Sequence, residues 1–257
     1  MKQENMTIVS QKEIAPRIYE LILSGKLVQE MKTPGQFLHV KVGDEAHVLR
    51  RPISIAKIDQ NSQTCTLIYR TEGFGTKWFA ALKTGGKLDV MGPLGNGYDL
   101  RFVKAGQKAL VIGGGIGIPP MYELSRALTS RGVEVFQYFG FASKQDQFYL
   151  PEFRALGETY VSTDDGSDGM KGHVGQLIEK YPLEAEMVFA CGNLNMLKAL
   201  SDKFSEAPHA YFSLEARMAC GVGACYGCTV AAASDPLHKN FRVCKDGPIF
   251  EMKEVEL

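Results

Sequence analysis

Four cysteines near the C-terminal end of the chain have the spacing of iron–sulfur ligands. They are Cys220, Cys225, Cys228 and Cys244, and together they form a C-x4-C-x2-C-x15-C pattern. This is the spacing of plant-type ferredoxins, in which four thiolates hold a 2Fe-2S cluster. Thiolates are soft ligands that suit iron, and the glycines between the first three cysteines allow a tightly curled backbone. The pattern predicts a centre that accepts one electron at a time.

Zinc and disulfides are the alternative uses of such cysteines. Structural zinc is usually bound by two separate pairs of closely spaced ligands, whereas three of these cysteines share the loop 220–228. Disulfides need an oxidising compartment, yet the N-terminal sequence MKQENMTIVS has no apolar signal core. The other two cysteines, Cys65 and Cys191, fall in apolar segments typical of strands. A cluster is therefore favoured over zinc, and disulfides are the weakest interpretation.

Composition excludes several classes of partner. The chain has 257 residues, of which 45% are hydrophobic, and its 29 basic residues balance its 29 acidic ones. A neutral chain has no overall field to attract nucleic acid or an anionic membrane. No apolar run approaches the length needed to span a bilayer. We therefore expect a cytoplasmic protein of more than one domain that binds neither nucleic acid nor membrane.

The first region, residues 1–101, has the pattern of a small antiparallel β-barrel. Its apolar segments are short and are divided by turn signals such as Pro34-Gly35 and Gly85-Gly86. After the predicted strand 66–70, the segment 73–76 leads into residues 77–83, which have a helical composition with Thr76 as a candidate N-cap. A glycine loop before a helix can bind phosphate. The same loop could equally be only a cap and a turn.

Residues 102–207 have the pattern of a parallel α/β nucleotide-binding domain. The segment 108–112 predicts a buried strand, the segment 113–117 is a glycine loop, and Pro119-Pro120 begins a predicted helix that runs to Leu128. Further strands are predicted at 133–139 and 187–191, with helices near 151–156, 174–180 and 193–204. The glycine loop lacks the third glycine of the dinucleotide fingerprint, so alone it could be a simple tight turn. Residues 208–257 then form a small cluster-binding domain.

Several motifs resemble known oxidoreductases. Arg51-Pro-Ile-Ser54, the loop 113–119 and Cys191-Gly-Asn193 resemble the ferredoxin reductase superfamily in order and spacing. The segments 213–228, 92–97 and 243–248 are similar to the electron transfer subunits of dihydroorotate dehydrogenase B, a family within that superfamily. The resemblance covers nearly the whole chain.

The resemblance implies three cofactor sites and assigns no catalytic residue. It implies an FAD site in the barrel, an NAD(H) site in the α/β domain and a 2Fe-2S cluster on the four cysteines. The segment 140–146 offers no arginine cluster for a 2′-phosphate, which favours NADH over NADPH. Cys191 could equally be a small buried residue. The FAD residues are Arg51, Pro52, Ile53, Ser54, Ile68, Tyr69, Arg70, Gly75 and Thr76, and the NAD(H) residues are Gly113, Gly114, Gly115, Gly117, Cys191 and Gly192.

The same resemblance implies a partner and a pathway. The partner would be an FMN-containing catalytic subunit that converts dihydroorotate to orotate in pyrimidine biosynthesis, with NAD as the final acceptor. A heterotetramer with two copies of each subunit is the family pattern. One alternative is the flavin and iron–sulfur subunit of a bifurcating ferredoxin–NADP oxidoreductase or sulfide dehydrogenase, although those relatives place an aspartate among the cluster ligands. The other alternative is a zinc-stabilised, nucleotide-binding interaction module, which would be colourless.

Overall fold

The N-terminal region folds into a closed antiparallel barrel, as predicted. The computed structural model describes residues 1–43 and 46–257, and within these ranges the barrel contains six strands. They close in the order β1-β2-β5-β4-β3-β6, and all neighbouring strands are antiparallel. The strands are β1 (Lys2–Ala15), β2 (Ile18–Ser24), β3 (Phe37–Val40), β4 (Arg51–Asp59), β5 (Thr64–Arg70) and β6 (Lys87–Leu94).

Alternation along the strands gives the barrel two apolar faces. Successive side chains of a strand point to opposite faces, so Leu38 and Val40 of β3 fill the barrel interior. Phe37 of β3 and Leu94 of β6 lie on the outer face, where they pack against the C-terminal segment that carries the cysteines. The outer face of the barrel therefore supports the cluster-binding region directly.

Helix α1 (Phe74–Ala80) connects β5 to β6 and begins earlier than predicted. Its N-cap is Gly73, so the prediction that Thr76 caps the helix is wrong. Thr76 lies in the first turn, where its hydroxyl accepts the Glu72 N–H at 2.9 Å and donates to the Gly73 carbonyl at 3.2 Å. Glycine is itself a competent N-cap, and the threonine hydroxyl stabilises the turn that precedes the helix.

The central region contains the predicted parallel sheet, but with more strands than predicted. Seven strands, all within the continuously described range 46–257, have the order β10-β9-β8-β7-β11-β12-β15. Every neighbouring pair is parallel except β12 and β15. A separate pair, β13 and β14, is antiparallel. The strands are β7 (Lys108–Gly114), β8 (Glu134–Phe141), β9 (Glu158–Thr163), β10 (Met170–Lys171), β11 (Met187–Cys191), β12 (His209–Ser213), β13 (Thr229–Ala231), β14 (Asn240–Arg242) and β15 (Ile249–Glu251).

Four helices accompany this sheet close to their predicted positions. Helix α2 begins with the predicted Pro119-Pro120 pair, which suits a first turn because proline lacks an N–H and the first turn needs none. Asn193 caps α5 by accepting the Met196 N–H at 3.0 Å. Among the described residues, no helix is long and apolar enough to cross a membrane. The helices are α2 (Pro119–Thr129), α3 (Leu150–Arg154), α4 (Val174–Lys180) and α5 (Leu194–Lys203).

Strands β9, β10, β12 and β15 were not predicted from the sequence. They are two to six residues long, and β12 and β15 belong to the segment predicted as the cluster domain. Strand β12 pairs along its full length with β11: His209 is opposite Met187 at one end, and Ser213 is opposite Cys191 at the other. The chain therefore contributes residues from beyond position 207 to the nucleotide-binding sheet. The domain ranges 1–101, 102–207 and 208–257 stay a prediction.

Candidate functional site

A cavity of about 800 Å³ lies where three parts of the chain meet. The barrel contributes β4, the end of β5 and the start of α1. The α/β region contributes Ile116, Pro119 and Pro120, and the cysteine-bearing segment contributes residues 214–218 and Pro248. All the predicted FAD residues line this cavity, which we call the flavin cleft: Arg51, Pro52, Ile53, Ser54, Ile68, Tyr69, Arg70, Gly75 and Thr76.

Arg51 and Gly75 form the cationic end of the flavin cleft. The Arg51 guanidinium donates from Nη1 to the Leu49 carbonyl at 2.6 Å, which fixes its orientation. A Cβ atom at position 75 would lie 2.8 Å from Arg51 Nε and 3.0 Å from Val42 Cγ2. Only glycine therefore lets the guanidinium approach the first turn of α1. The N–H groups of that turn have no acceptor within the helix, so they and Arg51 can receive the oxygens of a pyrophosphate.

Apolar side chains form part of the cleft wall, which also carries the charged side chains of Arg50, Arg70, Glu72, Glu215 and Arg217. Ile68 and Tyr69 are buried, and the Tyr69 hydroxyl accepts the Gln11 Nε2–H at 2.7 Å. Burial raises the pKa of Tyr69, so this hydroxyl keeps its proton. Phe74 is 48% exposed at the mouth of the cleft. Flat apolar walls of this kind suit a planar ring system such as isoalloxazine.

Sequence reasoning missed several residues of the cleft. Phe74 lies between Gly73 and Gly75 at the start of α1, inside the segment that the sequence already marked as a candidate phosphate loop. Ile116 and Pro119 lie beside the glycine loop, and Pro248 and residues 214–218 come from the end of the chain. These residues reach the cleft only through the tertiary fold, so no local pattern could assign them to it.

The predicted nucleotide-site residues meet at the carboxyl ends of β7 and β11. Gly113 pairs with Cys191 across the two parallel strands. A Cβ at position 117 would lie 2.4 Å from the Cys191 carbonyl oxygen, so only a glycine lets this loop pack against the end of β11. In the dinucleotide fingerprint, the third glycine has the same purpose of close packing between helix and strand. Gly115 has a φ of +52°, with open space beside it. The residues brought together are Gly113, Gly114, Gly115, Gly117, Cys191 and Gly192.

Cys191 is a buried part of the hydrophobic core. Its side chain is 1% exposed and packs in the same cluster as Phe189 and Ile118. Desolvation raises the pKa of its thiol, so the group is protonated at neutral pH. These facts fit a packing role. Contact between Cys191 and a nicotinamide ring stays a prediction.

Backbone N–H groups connect the four predicted ligands in two pairs, Cys220 with Cys225 and Cys228 with Cys244. The Cys225 N–H donates to the Cys220 sulfur at 3.4 Å, and the Cys244 N–H donates to the Cys228 sulfur at 3.4 Å. All six cysteines of the chain are described, and none forms a disulfide. Within the described ranges, no group of three or more His, Cys, Asp or Glu side chains is arranged to hold a metal ion. A 2Fe-2S cluster takes two thiolates at each of two irons, so a paired arrangement fits it.

Backbone N–H groups are already directed at the cysteine sulfurs. Val222 N–H donates to Cys220 Sγ at 3.4 Å, and Gly223 N–H donates to Cys244 Sγ at 3.2 Å. Desolvation raises the pKa of Cys220, but the N–H groups of Val222 and Cys225 outweigh it, and the pKa falls to about 6. Donors of this kind stabilise negative charge on sulfur, which is what a bound cluster requires.

The curled ligand loop depends on glycines and on one arginine. Gly221 and Gly223 have φ angles of +69° and +81°, in the left-handed region that favours glycine. Arg242 donates to the Gly223 carbonyl at 2.9 Å and makes a two-pronged ion pair with Asp246. This arginine therefore ties the loop that carries three cysteines to the segment that carries Cys244.

The cysteine loop lies between the flavin cleft and the protein surface. Met218, two residues before Cys220, lines the cleft. On the other side, Cys225 is exposed and Tyr226 is 60% exposed. The segment 214–218 on the cleft wall therefore leads directly into a loop that is exposed to solvent at Cys225 and Tyr226.

Sequence comparisons identify the family. Residues 111–202 match a family model described as the oxidoreductase NAD-binding domain, and residues 215–256 match the iron-sulfur cluster binding domain of dihydroorotate dehydrogenase B. The chain is 54% identical to the dihydroorotate dehydrogenase B (NAD(+)) electron transfer subunit of Enterococcus faecalis V583, over 100% of this chain and 99% of the relative. Subunits of the same name from Streptococcus mutans UA159 and Bacillus cereus B4264 are each 49% identical, over at least 98% of both chains.

The chain belongs to the family of dihydroorotate dehydrogenase B electron transfer subunits. Solved structures agree on the fold. The chain is similar to an NADH-dependent reduced ferredoxin-NADP oxidoreductase, solved to study flavin-based electron bifurcation, with a TM-score of 0.87, 27% identity and coverage of 98% of this chain and 90% of that one. A ferredoxin NADP+ reductase from Neisseria gonorrhoeae with bound FAD and NADP shares the fold, with a TM-score of 0.66 and 14% identity, over 80% of this chain and 92% of that one.

Proposed function

We propose that this chain transfers electrons between NAD(H) and an FMN-containing catalytic subunit that oxidises dihydroorotate to orotate in de novo pyrimidine biosynthesis. The observation that carries this proposal is the flavin cleft itself, because barrel, nucleotide-binding sheet and cysteine segment all contribute to its walls. A flavin in this cleft would adjoin both a nicotinamide site and a cluster site. FAD exchanges two electrons with NAD(H) and single electrons with a 2Fe-2S cluster.

Within the flavin cleft, Arg51 and the first turn of α1 bind the FAD pyrophosphate. The Ser54 hydroxyl and the β5 residues Ile68, Tyr69 and Arg70 contact the isoalloxazine. Support comes from the position of these side chains on the cleft wall and from the close packing of Gly75 against Arg51. The buried apolar residues exclude water from the ring, and the guanidinium fixes the charged end of the cofactor.

The NAD(H) site uses the glycine loop between β7 and α2. The open space beside Gly115 lies at the carboxyl end of the parallel sheet, where this class of fold binds nucleotides. Ile116 and Pro119 belong both to this loop region and to the flavin-cleft wall, so they hold the two cofactors beside each other. The lack of an arginine cluster in residues 140–146 favours NADH over NADPH.

The cysteine loop carries electrons between the partner and the flavin. Cys220, Cys225, Cys228 and Cys244 ligate the 2Fe-2S cluster, and the exposed edge at Cys225 and Tyr226 faces the catalytic subunit. Support for this path comes from the segment 214–218, which lines the flavin cleft and leads directly into the cysteine loop. Physiological flow runs from dihydroorotate through the partner to NAD.

A bifurcating role is the second candidate, and the overall similarity to the ferredoxin-NADP oxidoreductase favours it. The sequence evidence points the other way, because that neighbour is 27% identical whereas the dihydroorotate dehydrogenase B relatives are 49–54% identical. All four ligand positions of this chain are cysteines. We retain the dihydroorotate dehydrogenase assignment on these grounds.

The assembly is a heterotetramer of two electron transfer subunits and two catalytic subunits, working in the cytoplasm. Family membership supports the heterotetramer. The six free cysteines fit the reducing conditions of the cytoplasm. Light scattering of the purified complex tests the stoichiometry, because a mass equal to one copy of each subunit would contradict it.

Co-purification with catalytic assays tests the function. The tagged chain should capture an FMN protein, and the pair should reduce NAD with dihydroorotate. The chain alone should pass electrons from NADH to an artificial acceptor without oxidising dihydroorotate. Capture of a ferredoxin-linked partner, or dihydroorotate oxidation by the isolated chain, would contradict the proposal.

A further inference from the structure

His39 is a fully buried histidine with no hydrogen-bond partner on its ring. It lies on β3 with 0% exposure, and neither Nδ1 nor Nε2 has a protein partner among the described residues. Its neighbours are held firmly, because Arg50 donates to the His39 carbonyl at 3.2 Å and to the Asp89 carboxylate at 2.9 Å. A buried polar group without a partner is costly and calls for a specific reason.

The unpartnered ring lies directly against the cluster-ligand loop. A Cβ atom at position 221 would be 2.6 Å from His39 Nδ1 and 3.0 Å from its Cε1. Gly221 follows the predicted ligand Cys220, so the imidazole reaches the backbone beside the first thiol. The absence of a side chain at Gly221 is what admits the ring to this position.

His39 also adjoins the flavin cleft through the barrel wall. In the β3–β4 pairing it is opposite Pro52, which lines the cleft, and in the β3–β6 pairing it is opposite Met91. Met91 packs with the same core that contains Cys228 and Cys244. His39 therefore lies on the barrel face that separates the two proposed redox sites.

We propose that the His39 imidazole donates a hydrogen bond to a sulfur atom of the 2Fe-2S site beside Gly221 and thereby stabilises the reduced cluster. This inference rests on the proposed function, since it requires the cluster. His39 is a positioning residue that acts on the cluster potential and takes no part in the transfer of protons or electrons.

The chemistry of the ring fits this role. Burial, together with the neighbouring Arg50 charge, lowers the pKa of His39 to about 4, so the ring is neutral and carries one N–H. Reduction adds negative charge to the cluster, and hydrogen bonds to its sulfurs are among the features that set its potential. An N–H donor beside Gly221, the residue that follows Cys220, would favour the reduced form over the oxidised form.

An EPR-monitored redox titration of the FAD-loaded and cluster-loaded chain tests the proposal. The variant His39→Leu removes the donor, whereas His39→Gln keeps an N–H group of similar reach. At a fixed solution potential we expect His39→Leu to lower the ratio of reduced to oxidised cluster by about tenfold, the equivalent of one charge-assisted hydrogen bond. His39→Gln should stay close to wild type. Equal ratios in wild type and His39→Leu, or equal shifts in both variants, would overturn the proposal.

A measurement on wild-type protein covers the case in which His39→Leu fails to take up a cluster. Pulsed EPR of the reduced cluster in chain labelled with 15N-histidine should detect an imidazole nitrogen. His39→Gln should lose that coupling, and His238→Gln, at an exposed position, should keep it. A wild-type cluster without imidazole coupling would overturn the proposal, whereas a wild-type chain that binds no cluster would instead contradict the proposed function.

Discussion

Cys225 is the most exposed of the four predicted ligand cysteines, and Cys228 and Cys244 are buried. Exposure matters because the cluster must be close to the surface to meet a partner, while its other side must remain near the flavin cleft. The N–H groups directed at Cys220 lower the pKa of that thiol, whereas desolvation and the neighbouring Cys228 raise the pKa of Cys244. Substituting one thiol should therefore remove the cluster without disturbing the cleft.

Cys225→Ser should lose the 2Fe-2S cluster and keep FAD. A serine oxygen is a poorer iron ligand than a thiolate, and Cys225 does not line the flavin cleft. Iron content and the visible spectrum measure the outcome, with Tyr226→Phe as the control for a neighbouring change in the same loop. Full iron content in Cys225→Ser, with an unchanged cluster spectrum, would remove this residue from the ligand set.

Arg51→Ala should weaken FAD binding by about 1.5–3 kcal/mol, the usual contribution of a hydrogen bond to a charged group. The guanidinium is fixed by Leu49 and lies against the first turn of α1, so its loss removes the cationic end of the cleft. Titration of the FAD-free chain measures the affinity. Arg101→Ala, at a fully solvated position outside the flavin cleft, is the control and should bind FAD like wild type.

Single residues of the sites could be predicted where a motif is local. The cysteine spacing and Arg51-Pro-Ile-Ser54 are local signals. In the structure, residues 51–54 line one cavity, and hydrogen bonds link Cys220 with Cys225 and Cys228 with Cys244. His39 and Met218 had no such signal. Their importance depends on which loop packs against which strand, and that is decided by contacts between distant segments.

At the scale of elements, α5 shows how a cap positions part of the nucleotide site. Asn193 accepts the Met196 N–H, and Met196 in turn covers Gly114 and Gly192 at the ends of β7 and β11. The start of α5 is therefore linked directly to the glycine loop. We therefore expect loss of the cap to lower the stability of the fold more than it changes electron transfer.

Asn193→Ala should destabilise the chain by about 1 kcal/mol, which corresponds to roughly 2–4 °C in melting temperature for a protein of this size. Thermal unfolding with saturating FAD measures the shift. Asn193→Asp keeps a side-chain acceptor and should melt close to wild type. A melting temperature for Asn193→Ala equal to wild type would show that the cap contributes nothing.

Elements with strong apolar periodicity could be predicted, and short polar ones could not. Strands β7 and β11 are buried runs, and helix α2 carries its proline start signal. Strand β15 has three residues, and its assignment depends on pairing with β12. Thr76 was a plausible cap by residue type, but Gly73 provides the capping geometry one turn earlier.

At the scale of the whole molecule, hydrogen bonds join the barrel to the α/β region. The Ile58 N–H donates to Glu123 at 3.0 Å, and Arg126 donates to the Ile58 carbonyl at 3.1 Å. The Tyr149 hydroxyl donates to Glu20 across the same boundary. These bonds fix the barrel against helices α2 and α3 of the α/β region. No sequence pattern predicts them, because each joins residues more than sixty positions apart.

We expect electrons to pass between the flavin of this chain and the partner's FMN by way of the cluster. Stopped-flow absorbance of the reconstituted complex, mixed with NADH, separates reduction of this chain's flavin from reduction of the partner's FMN. Cys244→Ser, with cluster loss verified by iron content, is compared with wild type and with the adjacent surface variant Lys245→Ala.

We expect Cys244→Ser to accept electrons from NADH at the wild-type rate and to fail to reduce the partner's FMN, while Lys245→Ala completes both steps. Undiminished FMN reduction in a complex shown to contain no cluster would contradict the account.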